Sequence, residues 1–390
     1  MKRIYFDHNA TTPVAPEVLA AMMPHLTEEY GNASSLHAFG QNAREAVEQA
    51  RVSVAALLNA RPVEIMFTSG GTESINHAIL GAVAAVPGNS KHVITSAIEH
   101  VAGLDPCKAL AKSGVDLTIL PVDREGLISP NEVLRAVRPE TVLINLMLAN
   151  NETGTIEPIA EIGKIAAEKG IVLHTDAVQA AGKIPIDVET LGVDLLSISA
   201  HKFNGPKGIG ALYIRKGTPL SPLMYGGHSE RDRRPGTEDV AAIAGMGRAA
   251  NLAHRSVSQE SERIRELRDR LEHGLLDRVP QSCVNGARAP RVPNTSNLTF
   301  PFIEGEAMVI ALDLKGIACS TGAACSSGAV EPSHVLMALG LAPEDARATL
   351  RLSLGRQNTP EEIDFALEII PSVIERLRRL SPTYKNPAIA

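Results

Sequence analysis

The chain has 390 residues, a formal net charge of −6 and a mean hydropathy of +0.01. This length allows one large hydrophobic core and a second, smaller one, and the composition is typical of globular proteins. Trp is absent and basic residues are scattered, so we expect no nucleic-acid partner. The first residues form no apolar signal region and no apolar run is long enough to cross a bilayer, which predicts a cytoplasmic protein without a membrane partner.

Two helices are predicted first, from about residue 16 to before residue 31 and from about residue 39 to residue 58. The second has apolar residues at i, i+3, i+4 spacing. Short β-branched runs then alternate with helical segments, which predicts an α/β fold with a mostly parallel seven-stranded sheet covered on both faces. The predicted strands are residues 65–67, 92–94, 117–119, 142–146, 171–173, 195–198 and 211–214.

A long helical stretch near residues 238–276 leads into a second part of α+β character. Strands are predicted near residues 297–300, 316–318 and 350–354, followed by a closing helix at 360–377. We therefore expect a large α/β domain over residues 15–259. A smaller α+β domain would be formed by residues 1–14 together with 260–390.

A lysine and an aspartate follow two of the predicted strands. Lys202 comes directly after the strand at 195–198, and lysines near other cations lose a proton more readily and form Schiff bases. Asp176 follows the strand at 171–173, and a carboxylate there can pair with the protonated nitrogen of a pyridine ring. The ordinary alternatives are a solvated loop lysine and a helix N-cap aspartate.

Three more polar clusters follow predicted strands. Residues 68–74 form a Gly- and Thr-containing turn before a helix, a setting that favours phosphate binding by backbone N–H groups. Residues 149–154 and the pair Glu99-His100 are the other two, and a histidine there can stack on a flat ring or move a proton. Because strand ends of an α/β sheet share a crevice, the five clusters together predict one site.

The four cysteines show no C-x-x-C pair and no zinc-ligand spacing, so reduced thiols and no metal site are expected. Cys325 lies in a run of small and polar residues, 320–328, which predicts an exposed loop and a thiol placed for nucleophilic attack. Cys319 ends an apolar strand and is interpreted as a buried small hydrophobe. The other cysteines also have settings typical of structural residues.

With these residues in view, the chain resembles the cysteine desulfurases of the NifS/IscS type, which are pyridoxal-phosphate enzymes of the aspartate-aminotransferase fold (fold type I). The similarity extends over nearly the whole length. The motifs that carry it are DHNATTP (7–13), GNASSLH (31–37), TSGGTES (68–74), NNETG (150–154), HTDAVQ (174–179), SAHK (199–202), RPGTE (234–238), EPSH (331–334) and RLSLGR (351–356), with the Cys325 loop. One departure is Gly71, where relatives commonly have Ala or Cys.

The resemblance implies a role for each matched position. Pyridoxal phosphate would be bound through a Schiff base to Lys202, with Asp176 on the pyridine nitrogen, Gln179 on the ring hydroxyl and His100 stacked on the ring. The phosphate would be held by Gly71, Thr72, Ser199 and His201, with Thr237 reaching in from the other subunit of a homodimer. Asn151 and Arg351 would bind the substrate carboxylate.

The implied reaction converts L-cysteine into L-alanine. Lys202 and His100 would move protons, and Cys325 would accept the sulfur as a persulfide for a sulfur-acceptor protein such as an iron–sulfur scaffold. Transamination or selenocysteine lyase chemistry would keep Lys202 and Asp176 but would not need Cys325. A metal hydrolase built on His174, Asp176 and His201, and a binding scaffold without activity, are the remaining alternatives.

Overall fold

The computed structural model describes residues 3–321 and 331–384. The strands in these ranges are β1 (Ile4–Tyr5), β2 (Ile65–Thr68), β3 (His92–Ser96), β4 (Asp116–Leu120), β5 (Thr141–Met147), β6 (Val172–Asp176), β7 (Leu195–Ser199), β8 (Gly210–Ile214), β9 (Cys283–Val284), β10 (Thr295–Thr299), β11 (Ile317–Ala318) and β12 (Thr349–Ser353).

The helices surround these strands and connect most of them. They are α1 (Pro16–Thr27), α2 (Ala38–Leu58), α3 (Gly71–Ala85), α4 (Val101–Lys112), α5 (Pro130–Ala136), α6 (Ile159–Lys169), α7 (Val188–Leu191), α8 (Ser229–Asp232), α9 (Val240–Arg278), α10 (Gly305–Asp313), α11 (His334–Ala338), α12 (Pro343–Arg347) and α13 (Pro360–Leu380). Among the residues described, no helix combines the length and apolar character needed to cross a membrane.

A seven-stranded sheet with the order β2-β8-β7-β6-β5-β3-β4 forms the centre of the larger part. The pairs from β7 to β4 are parallel, and β8 is antiparallel to both β7 and β2. Alternate residues of each strand enter different cores: Ile65 and Phe67 belong to one hydrophobic cluster, and Met66 belongs to another. The sheet is therefore covered on both faces, and the predicted fold class is confirmed.

A separate hydrophobic cluster forms the smaller part, around the antiparallel strands β9, β10 and β12 and the helices α10 and α13. Helix α9 joins the two parts. Its first turn is capped by Asp239, whose carboxylate accepts a hydrogen bond from the Ala242 N–H at 3.0 Å. Ala253 of this helix packs in the larger core and Ile264 in the smaller one, so a single continuous helix connects both.

Strand β6 is longer than the sequence predicts, because it continues through His174 and Thr175 to Asp176. The polar His174 fits inside the sheet because both ring nitrogens have neighbours on adjacent strands. Nδ1 lies 2.6 Å from the Asn145 side chain, and Nε2 lies 2.8 Å from the Ser197 hydroxyl. Buried polar groups that are hydrogen-bonded in this way do not interrupt a strand.

Candidate active site

A cavity of about 230 Å³ opens where strands β5, β6 and β7 end. The last residues of these strands, Met147, Asp176 and Ser199, all line it. The cavity brings together every predicted cofactor residue except Thr237. Its lining is Gly71, Thr72, Ile75, His100, Ala102, Met147, Ala149, Asn151, Asp176, Val178, Gln179, Ser199, His201 and Lys202.

Lys202 follows β7 in a single turn of 3-10 helix, Ala200–Lys202. Its Nζ donates hydrogen bonds to two backbone carbonyl oxygens, those of Asn9 at 2.6 Å and Ala10 at 2.9 Å. These carbonyls belong to the N-terminal arm, which is fixed to the same turn by the Thr12 N–H donating to the His201 carbonyl at 2.9 Å. The lysine is therefore held in the cavity wall, and a solvated loop position is ruled out.

Asp176 is 7% exposed, and burial raises the pKa of its carboxyl to about 6. Oδ1 accepts a hydrogen bond from the Val178 N–H at 2.8 Å, and the charge of Lys202 opposes the effect of burial. Asp176 thus caps the turn after β6, where the sequence alternative named a helix, and it also lines the cavity. A cationic group facing it would compensate the cost of keeping this carboxylate ionised.

Helix α3 begins at Gly71, and its first two residues, Gly71 and Thr72, line the cavity. A Cβ added at Gly71 would lie 2.9 Å from Cγ2 of Val178, closer than carbon atoms tolerate, and 3.5 Å from Cβ of Ser199. The departure from Ala or Cys at this position therefore fits the bulk of Val178. The turn leaves backbone close to the cavity, as a phosphate at a helix N-terminus requires.

Two histidines of the cavity are kept neutral by their surroundings. Burial, followed by the charge of Lys202, lowers the pKa of His201 to about 4, and its Nδ1 lies 3.1 Å from the Thr11 hydroxyl. Burial also lowers the pKa of His100, again with Lys202 as the next cause. Nδ1 of His100 accepts a hydrogen bond from the Ala102 N–H at 3.1 Å and caps α4, which fixes the ring against the cavity.

Gln179 belongs to a buried polar network that the sequence did not reveal. Its Oε1 accepts a hydrogen bond from Lys183 Nζ at 2.6 Å, and its Nε2 donates to the Asn9 carbonyl at 3.0 Å. Lys183 also donates to Oδ1 of Asn9 at 2.8 Å, and burial holds its pKa well below the ordinary lysine value. The one available signal was the spacing of Gln179 and Lys183, four residues apart.

Arg351 of β12, in the smaller part of the chain, contacts the cavity residue Asn151 and is 3% exposed. Nη1 donates to the Asn151 carbonyl at 3.1 Å, and Nη2 donates to Oδ1 of Asp7 at 3.0 Å. Within residues 3–321 and 331–384, neither Nε of Arg351 nor Oδ1 of Asn151 has a hydrogen-bond partner. The Nε–H of Arg351 is a donor that suits a substrate carboxylate, whereas Oδ1 of Asn151 is an acceptor that suits a neighbouring N–H donor. In the sequence, Asp7 was identified only as part of the motif at residues 7–13 and was not predicted to be a site residue.

Cys325 and the exposed loop predicted around it lie outside the described residues. Cys107 and Cys319 are buried, and burial raises the pKa of each thiol to about 12, so both are unsuited to nucleophilic chemistry. Cys283 is exposed on β9, so the prediction of a structural setting for this cysteine is wrong. Its pKa is nevertheless raised by partial burial.

Thr237 is exposed and does not line the cavity of its own chain. The turn before it is connected to the cavity through Arg234, whose Nε donates to Oε1 of Glu73 at 2.9 Å. Glu73 in turn accepts a hydrogen bond from the Ser69 N–H at 2.7 Å at the start of α3. The segment that carries Thr237 is thus fixed to the turn before α3, residues 68–74, where the sequence predicts phosphate binding.

The metal-hydrolase alternative fails on geometry. His174 lies inside β6 with both ring nitrogens engaged by Asn145 and Ser197, so it cannot turn toward a metal shared with Asp176. Among the described residues, no group of three or more His, Cys, Asp or Glu side chains is arranged to hold a metal ion.

Comparison with known proteins agrees with the family resemblance found in the sequence. Residues 4–365 match the family model described as Aminotransferase class-V. The protein named Cysteine desulfurase IscS of Dictyoglomus turgidum is 51% identical over 99% of this chain and 98% of its own length. Cysteine desulfurase IscS of Methanosarcina thermophila is 50% identical over 98% of this chain and 94% of its own length.

Solved structures show the same similarity. A NifS-like protein superimposes with a TM-score of 0.90 at 39% identity, covering 96% of this chain and all 100% of its own. A NifS-like protein from Rickettsia africae gives 0.86 at 32% identity, with 96% and 99% coverage. The structure titled SspA in complex with cysteine gives 0.80 at 39% identity, with 90% and 98% coverage.

Proposed function

Because this chain belongs to the class-V aminotransferase family, we propose that its cavity binds pyridoxal phosphate and desulfurates L-cysteine on the residues named above. Relatives about half identical over the full length are cysteine desulfurases, and the chain is an enzyme of that pyridoxal-phosphate-dependent class. The observation that carries the residue assignment is the convergence of Lys202, Asp176 and the α3 N-terminus on one cavity of about 230 Å³.

The residues present fit the cofactor. The buried Asp176 carboxylate would hold the pyridine nitrogen, and the α3 turn at Gly71 and Thr72, with Ser199 and His201, would hold the phosphate. His100 would face the ring of the cofactor, and Gln179 and Asn151 would lie along the edge of that ring. When bound, the cofactor supplies an electron sink for negative charge at the substrate α-carbon.

Lys202 would hold the cofactor covalently and, once released by the substrate amine, would move the proton at the α-carbon. The backbone carbonyls of Asn9 and Ala10 accept from its Nζ and would keep the amine close to the cavity after release. Neutral His100, with its lowered pKa, could take and return a proton at neutral pH.

Arg351 and Asn151 would orient the substrate by its carboxylate. Arg351 is directed by Asp7 and the Asn151 carbonyl, and a guanidinium fixed in this way recognises a carboxylate with little loss of side-chain freedom. The substrate thiol would then point away from this pair.

Cys325 would be the sulfur acceptor. Its thiolate would attack the substrate sulfur, forming an S–S bond, while the carbon–sulfur electron pair returns to the organic fragment, which leaves as alanine after protonation. The persulfide would pass to an acceptor such as an iron–sulfur scaffold. Iron–sulfur assembly is the role we propose, because the relatives carrying the name IscS match the full chain.

We also propose a homodimer in which Thr237 completes the phosphate site of the neighbouring subunit, because it is exposed and does not line its own cavity. A closed two-fold dimer is the commonest soluble assembly.

We propose that the chain divides into two domains, residues 15–259 and residues 1–14 with 260–390, because the hydrophobic clusters are separate. A Cys325 thiol that is to act as a nucleophile must stay reduced, which needs a reducing compartment, and the cytoplasm is the one we propose.

The test compares two single variants of the holoenzyme. Cys325→Ala should keep the visible absorbance of the bound cofactor and its change on adding L-cysteine, but should release almost no alanine. Cys283→Ala is the matched control, because Cys283 is an exposed thiol in the described part of the chain, and it should keep activity within about twofold. Near-normal alanine release by Cys325→Ala would instead favour a lyase or aminotransferase reaction that needs no protein thiol.

A further inference from the structure

Lys183 is a buried lysine that the reaction proposed above does not use, and it is 9% exposed. Its backbone is held on both sides. The Lys183 N–H donates to the Ala180 carbonyl at 3.0 Å, and the Lys183 carbonyl accepts from the Ser261 hydroxyl of α9 at 2.5 Å. Burying a long cationic side chain is costly, so the contacts of its amine must compensate the lost hydration.

The amine of Lys183 is directed by two oxygen acceptors. Nζ donates to Oε1 of Gln179 at 2.6 Å and to Oδ1 of Asn9 at 2.8 Å. Both acceptors are neutral amide oxygens. Burial, followed by the positive charges of Lys202 and Arg351, holds the pKa of Lys183 well below the ordinary lysine value. The two hydrogen bonds are compatible with either protonation state, because a neutral amine still has two N–H donors.

The contacts of Gln179 fix the orientation of its side-chain amide. Its Nε2 donates to the Asn9 carbonyl at 3.0 Å, and its Oε1 faces Lys183. A carbonyl oxygen only accepts hydrogen bonds, so the end of the amide that faces Asn9 must be the nitrogen. That nitrogen has two N–H groups. Among the described residues the Asn9 carbonyl takes one of them, which leaves the other for a ligand of the cavity that Gln179 lines.

Asn9 connects this pair to the cofactor lysine and does not depend on Lys183 for its own position. Its carbonyl accepts from Gln179 and also from Nζ of Lys202, at 2.6 Å. Its Oδ1 accepts from Nδ2 of Asn294 at 3.0 Å in addition to Lys183. In the part of the chain that the structure describes, Oε1 of Gln179 accepts from Lys183 alone. Loss of the Lys183 amine therefore leaves one buried acceptor without a donor, and it belongs to Gln179.

We propose that Lys183 is a positioning residue for the cofactor: it holds the oxygen end of the Gln179 amide, so that the nitrogen end stays a donor to the ring hydroxyl of pyridoxal phosphate. The inference rests on the proposed function, since it assumes that the ring hydroxyl lies beside Gln179. A donor to the ionised ring hydroxyl stabilises it and lowers the pKa of the lysine-bound cofactor. Without Lys183, the unsatisfied Oε1 drives Gln179 out of this orientation.

The variants separate this role from simple structural support. Lys183→Met keeps an unbranched side chain of similar length and removes the donor. Lys183→Arg restores a donor, and a second cavity of about 60 Å³ that Lys183 lines leaves room for the larger head group. The matched control is Lys91→Met, because Lys91 is a partly buried lysine whose Nζ donates to the Val83 carbonyl at 2.7 Å, and it does not line the active-site cavity.

The first measurement is the pH midpoint of the visible absorbance change of each holoenzyme, which gives the pKa of the lysine-bound cofactor. Lys183→Met should raise the midpoint by about 0.5–1 pH unit, and Lys183→Arg and Lys91→Met should stay within about 0.2 pH unit of the parent. In a Gln179→Leu background, Lys183→Met should cause no further change, because its effect passes through Gln179.

The second measurement is the affinity of the cofactor-free protein for two ligands, pyridoxal phosphate and an analogue that lacks the ring hydroxyl. Lys183→Met should bind pyridoxal phosphate about threefold to tenfold more weakly than the parent, and should bind the analogue as the parent does. Equal weakening for both ligands would show that Lys183 only supports the fold, and would overturn the proposal.

An unchanged midpoint in Lys183→Met would also overturn it, as would an equal rise in Lys183→Arg or Lys91→Met. A rise that persists in the Gln179→Leu background would show that the buried amine acts on the cofactor directly and not through Gln179. If the parent enzyme forms no visible band with pyridoxal phosphate, the proposed function itself fails, and that outcome is read without any variant. If Lys183→Met does not fold, Lys183→Gln, which is one bond shorter, takes its place with the same expected results.

Discussion

The candidate active site has two walls, the lining of the cavity and the neighbouring residues around Arg351, and they are built in different ways. The wall from the larger part consists of residues at strand ends, such as Asp176 and Ser199, each placed by its own strand. The wall around Arg351 depends on pairs between residues that are far apart in the chain, such as Asp7 with Arg351 and Glu152 with Ser333. The first wall is set by local sequence, whereas the second exists only once these distant residues have packed together.

The walls also differ in how their charges are balanced. On the first wall, burial raises the pKa of Asp176 and lowers that of His201, so both charged states are disfavoured in the protein alone. On the second wall, Arg351 already has the Asp7 carboxylate as a partner. We infer that the first wall is completed by the cofactor, and that the second is arranged to orient the substrate.

The largest effect is expected on the first wall. Lys202→Ala should abolish the visible band of the lysine-bound cofactor and reduce alanine formation to background, because no other described residue that lines the cavity supplies an amine. Absorbance spectra and an alanine assay measure this. Lys207→Ala, an exposed lysine five residues further along, should behave as the parent enzyme. A Lys202→Ala enzyme with its band and turnover intact would contradict the cofactor assignment.

Asp176→Asn should stabilise the cofactor-free protein at pH 7 and weaken its binding of the cofactor. Because burial raises the carboxyl pKa to about 6 from 3.8, ionisation costs stability in the cofactor-free protein, and that cost is fully present above pH 6 and absent below about pH 4. Cofactor-free Asp176→Asn should therefore be more stable than the parent at pH 7, by about 1–3 kcal/mol, and equally stable near pH 4.

The same substitution should weaken cofactor binding at pH 7, because the amide cannot compensate a protonated pyridine nitrogen. Denaturant unfolding of the cofactor-free protein and a cofactor titration test the two halves. The difference between the walls would be lost if Asp176→Asn were destabilised at pH 7 yet bound the cofactor as tightly as the parent.

A smaller effect is expected on the second wall. Asp7→Asn removes the charge that directs Arg351 but keeps an acceptor of similar shape. The KM for L-cysteine should rise about threefold to tenfold with kcat little changed, because the guanidinium loses its fixed orientation and not its charge. Steady-state kinetics measure this, with cofactor occupancy as the control. A fall in kcat with unchanged KM would place Asp7 in the chemistry instead.

The sequence predicted the first wall because each residue there follows a strand in a short motif. Lys202, Asp176 and the turn at Gly71 could be grouped once the carboxyl ends of parallel strands were assumed to share a crevice. His174 was misjudged as a strand-end residue. Its pairing with Asn145 and Ser197, which keeps it inside β6, comes from neighbouring strands and has no local signal.

The second wall was predicted only in part. Arg351 was named through the family resemblance, but Asp7, Glu152 and Ser333 were not assigned to the site. Asp7 lies 344 residues from Arg351 in the chain, and Ser333 lies 181 residues from Glu152. Such pairs are fixed by the packing of segments that are distant in the chain. Lys183 was not predicted for a different reason. The sequence alone does not distinguish a buried lysine with a lowered pKa from an exposed lysine.

The central claim is that sulfur leaves L-cysteine on one particular thiol. The most direct test is to mix the holoenzyme briefly with L-cysteine, trap persulfides by alkylation and locate the added sulfur by peptide mass spectrometry. We expect the added sulfur on the peptide containing Cys325 and none on peptides containing Cys107, Cys283 or Cys319. Added sulfur on Cys319 or Cys283, or on no cysteine while alanine is still produced, would contradict the account.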